Sequence, residues 1–288
     1  MIDLIDTHCH LHEIVATSSH THEKWLAGGR SAEQVIASAH EVGVNRMLTI
    51  GTSYQDSVLA ADFVRQYPEV WTSIGIHPHE AKDHLSDAIL QDFRALATRS
   101  KVVAVGECGL DYYYNLSPKD AQEKVLRFQI ETALRHELPL SFHVRDAFDD
   151  FWRIFDSYQG VRGVIHSFTD NLENLEKALG RGLFIGVNGI ATFGKDDKHL
   201  VTYRTIPLDR LLLETDAPYL TPKPFRGTMC ESRHIRVTAE YLSVLREEPL
   251  AEIARKTTEN TLKLFNLEEI SYEKPREQPI PKERHEEI

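Results

Sequence analysis

Two histidines stand one residue apart near the start of the chain, within the apolar run at residues 4–11. Alternate side chains of a strand point to the same face, so His8 and His10 share one face while Cys9 points to the other. Two imidazoles held in this way can bind one metal ion with little loss of conformational freedom. Two unrelated histidines would give the same spacing, so the rest of the chain has to decide between these interpretations.

Imidazoles and carboxylates also follow apolar runs further along the chain. A carboxylate follows the fourth run, imidazoles end the fifth and sixth, and two carboxylates follow the eighth: Glu107, His143, His166, Glu214 and Asp216. A single residue of this kind at the end of a strand usually has a structural role. Several of them buried together are costly unless they are paired or bound to a metal, so the set predicts a metal site.

The number of ligands favours two ions over one. Six nitrogen and oxygen ligands exceed the three that usually hold one catalytic zinc, and they suit two ions that share one carboxylate. Glu107, from the middle of the sheet, is predicted to bridge the ions. The first and eighth strands would complete one ion, and the fifth and sixth strands the other: His8, His10 and Asp216, then His143 and His166. The ligand types are compatible with zinc, manganese, iron, cobalt or magnesium.

The eighth strand offers two carboxylates. Glu214 and Asp216 alternate on one face, so either could be the ligand. Asp216 is nearer the end of the strand, so we assign the ligand there and place Glu214 beside it as a buried partner. Asp216 could also accept the proton of an attacking water, which makes Asp216 and Glu107 the predicted catalytic pair.

Three further residues are predicted to contact the substrate. His77 ends the third apolar run, while Arg145 and Arg226 could hold an anionic group such as a phosphate. A turn histidine and ordinary salt bridges are the alternatives. Basic residues follow several predicted strands: Arg145, Lys195, Lys198, Lys223 and Arg226.

Eight predicted strands position these residues, at 4–11, 44–52, 70–77, 102–110, 139–144, 162–168, 183–190 and 211–217. Helical patterns lie between them at 32–42, 55–66, 87–99, 118–136, 146–158 and 172–180, and two more follow at 231–246 and 250–264. Strands that alternate with helices form a parallel sheet, either closed or open and doubly wound. Eight units without a Gly-rich dinucleotide loop favour an α/β fold of the closed kind, a (β/α)8 TIM barrel. In such a barrel the reactive groups lie at the C-terminal ends of the strands.

The barrel is predicted to span residues 1–267 as one domain. Beyond it, residues 268–288 contain Pro275, Pro279 and Pro281 among mixed charges, which is typical of an irregular or disordered tail. The segment from Glu13 to Ser31 is a longer insertion between the first strand and the first helix, and it is expected to shape the mouth of the site.

Composition and charge limit the classes of function that the chain could have. Of 288 residues, 41% are hydrophobic and 27% are charged, as in an ordinary soluble protein. The formal net charge of −11 argues against long, non-specific binding of nucleic acid, although bound cations could still attract a phosphodiester. No run approaches the ~18 apolar residues of a membrane span, so no membrane association is predicted. An acidic N-terminus and three cysteines without paired spacing predict a cytoplasmic protein, and no obligate protein partner is evident.

Six motifs occur in a fixed order along the chain. Residues 6–11 read Asp-Thr-His-Cys-His-Leu, 75–78 Gly-Ile-His-Pro, 106–112 Gly-Glu-Cys-Gly-Leu-Asp-Tyr, 143–146 His-Val-Arg-Asp, 166–168 His-Ser-Phe and 214–222 Glu-Thr-Asp-Ala-Pro-Tyr-Leu-Thr-Pro. As a set, over about residues 1–267, they resemble the TatD family of metal-dependent hydrolases.

The resemblance implies a TIM barrel of the amidohydrolase type with two divalent cations (Mg²⁺, Mn²⁺ or Zn²⁺). It implies deoxyribonuclease activity on DNA or another phosphodiester, often as a 3′–5′ exonuclease. The ligands that it implies are the six residues named above: His8, His10, Glu107, His143, His166 and Asp216. The chain departs from the family at His12, where an acidic residue is usual, and after Arg226-Gly227, where Cys230-Glu231-Ser232 replaces the common Asn-Glu-Pro.

Two other functions are compatible with the same residues. An amidohydrolase or esterase would act on a small cyclic amide, lactone or phosphoester, but many of these enzymes use a fourth-strand lysine where this chain has Glu107. A metal-stabilised binding protein without turnover would have all six ligand positions filled and no open position for water.

Overall fold

Eight parallel strands alternate with helices in the computed structural model, which describes residues 2–194 and 197–267. Each strand pairs with the next along the chain, which confirms the predicted barrel. The strands are β1 (Leu4–Cys9), β2 (Val44–Ile50), β3 (Val70–Ile74), β4 (Val102–Asp111), β5 (Leu140–Arg145), β6 (Gly163–Ile165), β7 (Phe184–Val187) and β8 (Leu211–Leu213). Several strands end before their predicted last residue. The site residues there lie beyond the last backbone hydrogen bonds between neighbouring strands.

Ten α-helices lie within the described residues. They are α1 (His20–Gly28), α2 (Ala32–His40), α3 (Tyr54–Phe63), α4 (Asp87–Leu96), α5 (Lys119–Arg135), α6 (Phe148–Phe155), α7 (Leu172–Gly180), α8 (Asp197–Thr205), α9 (Ile235–Arg246) and α10 (Leu250–Phe265). Serines start four of them: Ser19, Ser31, Ser53 and Ser86 each accept a hydrogen bond from a backbone N–H in the first turn. The sequence predicted all but α1 and α8.

The inside of the barrel is a small apolar core. It contains one or two residues from each even-numbered strand, namely Leu48, Ile50, Ala104, Val164 and Leu212, together with Phe184 of β7. Because alternate strands are not neighbours in the sheet, residues from all four can meet only within the barrel. Leu264 and Phe265, at the end of α10, pack against this core. A second, larger core fills the space between the strands and the surrounding helices.

Hydrogen bonds join β8 and the segment after it to β1. The Asp216 N–H donates to the His8 carbonyl at 2.8 Å, and the His10 N–H donates to the Ala217 carbonyl at 2.7 Å. Nearby, the buried Asp6 carboxylate accepts hydrogen bonds from the Thr215 hydroxyl at 2.7 Å and from its N–H at 3.0 Å. The first and last strands therefore meet where the predicted ligands lie.

Two sequence-based expectations fall outside the described residues: the irregular tail at 268–288 and the basic residue Lys195. Within the part of the chain that is described, no helix has both the length and the apolar character needed to cross a bilayer.

Candidate active site

A cleft of about 830 Å³ opens at the C-terminal ends of the strands, and Glu107 is buried in its wall. The pairing of β4 with β5 slips between Val105 and Cys108, and such a bulge re-aims the side chain within it. Gly109 allows the two strands to approach, because a Cβ there would overlap the His143 carbonyl. Local backbone geometry thus brings Glu107 and His143 together.

Four imidazoles surround the Glu107 carboxylate. His143 Nδ1 lies 2.8 Å and His166 Nε2 3.2 Å from Oε1. His77 Nε2 is 3.5 Å from Oε1, and His8 Nε2 is 3.4 Å from Oε2. Burial alone would raise the pKa of Glu107, but the charges of His166 and His77 and the hydrogen bonds from His143 and His166 hold it well below its usual range. Glu107 is therefore an ionised carboxylate with both oxygens facing histidines.

Asp216 forms the second acidic centre of the cleft. Its Oδ1 lies 3.3 Å from His10 Nε2 and 3.6 Å from His8 Nε2. Burial opposes ionisation, yet the hydrogen bond from His10 and the nearby positive histidines lower the pKa of Asp216. Burial would likewise lower the pKa of His10, but the contacts with Asp216 raise it to about 9.

Three of these histidines are oriented by a fixed acceptor. In each, one ring nitrogen faces Glu107 or Asp216, while the other bonds to a backbone carbonyl or a buried carboxylate. The pairs are His10 with the Ile50 carbonyl at 3.0 Å, His143 with Asp111 at 3.0 Å and His166 with Glu214 at 3.1 Å. Metal-binding histidines usually have this arrangement, because the second partner fixes both the tautomer and the direction of the ring.

His8 differs from the other three. Both of its ring nitrogens are buried without a hydrogen-bond partner, and its ring stacks on His166 with 3.7 Å between centroids. Burial and the neighbouring His166 charge lower the pKa of His8, which keeps the ring neutral with a lone pair available. An unpaired polar nitrogen is costly in a buried site, and a cation in this cluster would satisfy it. The residues present therefore fit a metal centre.

Two groups of candidate ligands share Glu107. One contains His8, His10 and Glu107, and the other contains His77, Glu107 and His143. In each group, the ligand atoms lie within 4.8 Å of one another. His77, which the sequence suggested as a substrate contact, therefore lies in the same group of candidate ligands as His143. His166 also approaches Glu107, as described above.

The basic residues that were predicted to contact substrate lie in different places in the structure. Arg145 lines the cleft, whereas Arg226 is exposed and lies over the Phe193 ring at 4.6 Å, outside the residues that line the cleft. Lys198 lines a neighbouring cavity, and Lys223 is exposed. A role of Arg226 in binding substrate stays a prediction from the sequence.

Asp111 is a site residue that the sequence analysis did not single out. Its Oδ2 accepts hydrogen bonds from His143 and from His79, both at 3.0 Å. Burial would raise the pKa of Asp111, but these bonds hold it well below the usual range. The sequence did carry a signal: β4 ends at Asp111, one residue beyond its predicted end, so Asp111 is itself a carboxylate at the end of a strand.

The insertion contributes α1 to one side of the cleft. His20 and Thr21 line it, and the Thr21 hydroxyl lies 2.9 Å from that of Tyr219. The buried Trp25 donates its Nε1–H to the His10 carbonyl at 2.9 Å. This confirms the expectation that the insertion shapes the mouth of the site.

His12, where the chain departs from the usual acidic residue, has a partner on each ring nitrogen. Nδ1 lies 2.6 Å from the Thr49 hydroxyl, and Nε2 lies 2.7 Å from Asp56 Oδ1. Burial alone would raise the pKa of Asp56, but the charge of His12 and the hydrogen bonds to Asp56 lower it to about 2. His12 and Asp56 therefore form a buried pair next to Thr49 of β2.

Comparison with known proteins decides the family. The profile described as TatD related DNase matches residues 5–266. The chain belongs to the TatD family. An uncharacterized metal-dependent hydrolase of Bacillus subtilis strain 168, YabD, is 35% identical over 266 residues, covering 92% of this chain and 99% of that relative. A protein of Erwinia tasmaniensis named 3′-5′ ssDNA/RNA exonuclease TatD is 35% identical over 249 residues, covering 83% of this chain and 95% of that protein.

A solved TatD structure has the same architecture. The TatD homologue YJJV of Escherichia coli K12 superposes with a TM-score of 0.81 at 28% identity, covering 92% of this chain and 98% of that one. The relatives are metal-dependent hydrolases, and the histidine and carboxylate groups of this chain could hold metal.

Proposed function

We propose that this TatD protein is a divalent-metal-dependent deoxyribonuclease of the 3′–5′ exonuclease type. The observation that carries the proposal is that both ring nitrogens of His8 are buried without a hydrogen bond, in a cluster with Glu107 and Asp216. The exonuclease name of the Erwinia relative supports the choice of a nucleic-acid substrate. Residues 1–267 would form the catalytic domain.

Two ions are proposed to share Glu107. His8, His10 and Asp216 would hold the first, and His143 and His166 the second, with His77 close enough to compete for that position. When bound, two divalent cations lower the pKa of water and offset the charge of the phosphate. The nitrogen and oxygen ligands are compatible with Mg²⁺, Mn²⁺ or Zn²⁺.

The chain's own residues would orient the substrate and accept a proton. Asp216 has the most exposed carboxylate of the ligand set at 18%, and its lowered pKa keeps it ionised. This carboxylate can therefore accept the proton of a water that attacks the phosphorus. Arg145, in the cleft wall, can donate to the non-bridging phosphate oxygens.

A cytoplasmic location is part of the proposal. Cys9, Cys108 and Cys230 are free and buried, and burial raises the pKa of each thiol well above its usual range. Such cysteines behave as small packing residues, and free thiols are typical of a reducing compartment.

End-labelled single-stranded DNA tests the function directly. Purified protein with Mg²⁺ or Mn²⁺ should shorten the strand from its 3′ end, and a chelator should stop the reaction. Glu107→Gln should lower turnover by roughly 100-fold or more with an unchanged circular dichroism spectrum, because removal of this charge unpairs the surrounding histidines. Glu80→Gln, which alters another carboxylate of the cleft, is the matched control and should keep its activity.

Two results would contradict the proposal. One is intact single-stranded and duplex DNA with every metal tested, since a nuclease must shorten one of them. The other is full turnover by Glu107→Gln, which would remove the bridging carboxylate from the mechanism.

A further inference from the structure

The loop after β4 exposes two aromatic rings at the mouth of the cleft. Tyr113 is 57% exposed and Tyr114 is 53% exposed, although large apolar side chains are usually covered. Tyr114 lines the cleft, while Tyr113 lines an adjoining cavity of about 260 Å³. Arg145 lines both spaces and so connects them.

The two tyrosines are fixed relative to the candidate metal ligands. Asp111 Oδ1 accepts hydrogen bonds from the Tyr113 N–H at 3.0 Å and the Tyr114 N–H at 2.9 Å. The other oxygen of the same buried carboxylate bonds to His143. One side chain thus sets the position of the exposed loop and of a predicted ligand.

Arg145 lies over both rings. Its guanidinium carbon is 3.9 Å from the Tyr113 centroid and 4.8 Å from the Tyr114 centroid. The two rings meet edge to face, with 4.9 Å between centroids. Exposed aromatic rings next to an arginine are the surface on which proteins stack the bases of single-stranded nucleic acid, while the arginine can also bind phosphate.

We propose that Tyr113, Tyr114 and Arg145 form a stacking site for an unpaired base at the end of the strand being cleaved. This rests on the proposed nuclease function and adds a subsite outside the candidate metal ligands, which holds the terminal base of the strand. In a duplex the terminal base is paired and stacked on its neighbour, so it would have to be released first.

The charge beyond the stacking site limits how much of a strand can bind. A further cavity shares Asp146 and Asp170 with that of Tyr113, and Asp149 and Asp150 also line it. Lys119 is the lysine among its lining residues. A phosphate backbone is repelled by such an acidic surface, so the contact is confined to the nucleotides nearest the strand end.

Two oligonucleotides that differ only at the end test the stacking site. One is an ordinary single-stranded DNA, and the other has abasic sites in its two terminal nucleotides, so it keeps every phosphodiester but has no terminal base. The test variant carries both Tyr113→Leu and Tyr114→Leu, which keep apolar volume but remove the two rings. The matching Phe substitutions keep the rings, and Leu116→Ala is a control at another exposed side chain of the same loop.

The double Leu variant should raise KM for the ordinary strand by roughly 10-fold or more, with kcat within about twofold of wild type. On the abasic strand its KM should match that of wild type, and the Phe variants and Leu116→Ala should behave as wild type on both strands.

The outcomes separate the two proposals. An unchanged KM in the Leu variant, or the same rise on both strands, would overturn the stacking site while leaving the nuclease intact. If wild-type protein cleaves neither strand, the proposed function itself fails, and the stacking site fails with it.

Discussion

Asp111 shows how one carboxylate can control the orientation of a predicted ligand. It holds His143 so that the opposite ring nitrogen faces Glu107. Asp111→Ala frees that ring, and partners of this kind typically account for 10–100-fold in metal affinity. We therefore expect calorimetric titration with Mn²⁺ to show binding weakened by roughly that factor.

Asp111→Asn is the informative companion variant. The carboxylate accepts from His143 on one oxygen and from the Tyr113 and Tyr114 N–H groups on the other, whereas the amide has a single acceptor oxygen, so this variant should retain only part of the affinity that Asp111→Ala loses. Equal Mn²⁺ affinity in wild type and Asp111→Ala would show that the bond between Asp111 and His143 does not orient a ligand.

The strands and most of the helices were predictable because the pattern of apolar residues shows which side chains are buried. Strands such as β7 and β8 are continuous apolar runs, as expected where both faces of a parallel sheet are covered. By contrast, α1 buries only Trp25, so its sequence has no apolar stripe to reveal it. Its caps, Ser19 and Gly29, are the local signals it carries, while the contacts of Trp25 with the His10 carbonyl and of Thr21 with Tyr219 are tertiary and do not show in sequence periodicity.

The part of the site that could be predicted from the sequence is the set of residues at the ends of the strands. The six proposed ligands were found because each follows or ends an apolar run. The position of Arg226 depends on the path of a loop packed against Phe193, which has no periodic pattern. The proximity of His77 to Glu107 depends on a bulge in β4, and a bulge is a tertiary feature with no local sequence signal here.

The turn that begins α9 contains a pH-sensitive histidine. His234 is buried, and its Nδ1 accepts a hydrogen bond from the Glu231 N–H at 3.0 Å, which requires that nitrogen to be unprotonated. Burial, together with the charge of Arg233, lowers the pKa of His234 to about 4. An unfolded histidine titrates near 6.5, so as the pH falls the unfolded state binds a proton first.

The stabilisation from neutral His234 is therefore complete above pH 6.5 and falls between pH 6.5 and 4. We expect this group to lower the free energy of unfolding by up to about 2 kcal/mol between pH 7.5 and pH 5. His234→Asn keeps an acceptor without the titration, so its urea denaturation curves should change less over that interval. A variant with the same pH dependence as wild type would rule out His234 as the cause.

The charge of the whole molecule affects how strongly the binding of a polyanion depends on salt concentration. The formal net charge is −11, and among the described residues that line the cleft Arg145 is the one lysine or arginine. For single strands, each phosphate that a basic group neutralises contributes about −0.7 to the slope of log affinity against log salt. With one basic group in the cleft, we therefore expect a slope of about −0.7 for log kcat/KM against log KCl concentration at fixed free Mg²⁺.

Arg145→Gln should bring that slope close to zero, because it removes the basic group of the cleft wall. A slope steeper than about −3 in wild type would instead indicate a broad basic surface that engages many phosphates at once.

The junction between the first and last strands has a consequence for incomplete chains. His8 and His10 come from the start of the sequence, whereas Asp216 follows the eighth strand and donates its N–H to the His8 carbonyl. A polypeptide still emerging from the ribosome thus lacks one side of the centre until more than two hundred residues have been made. Products of premature termination before that point would therefore lack Asp216 and could not form the complete centre.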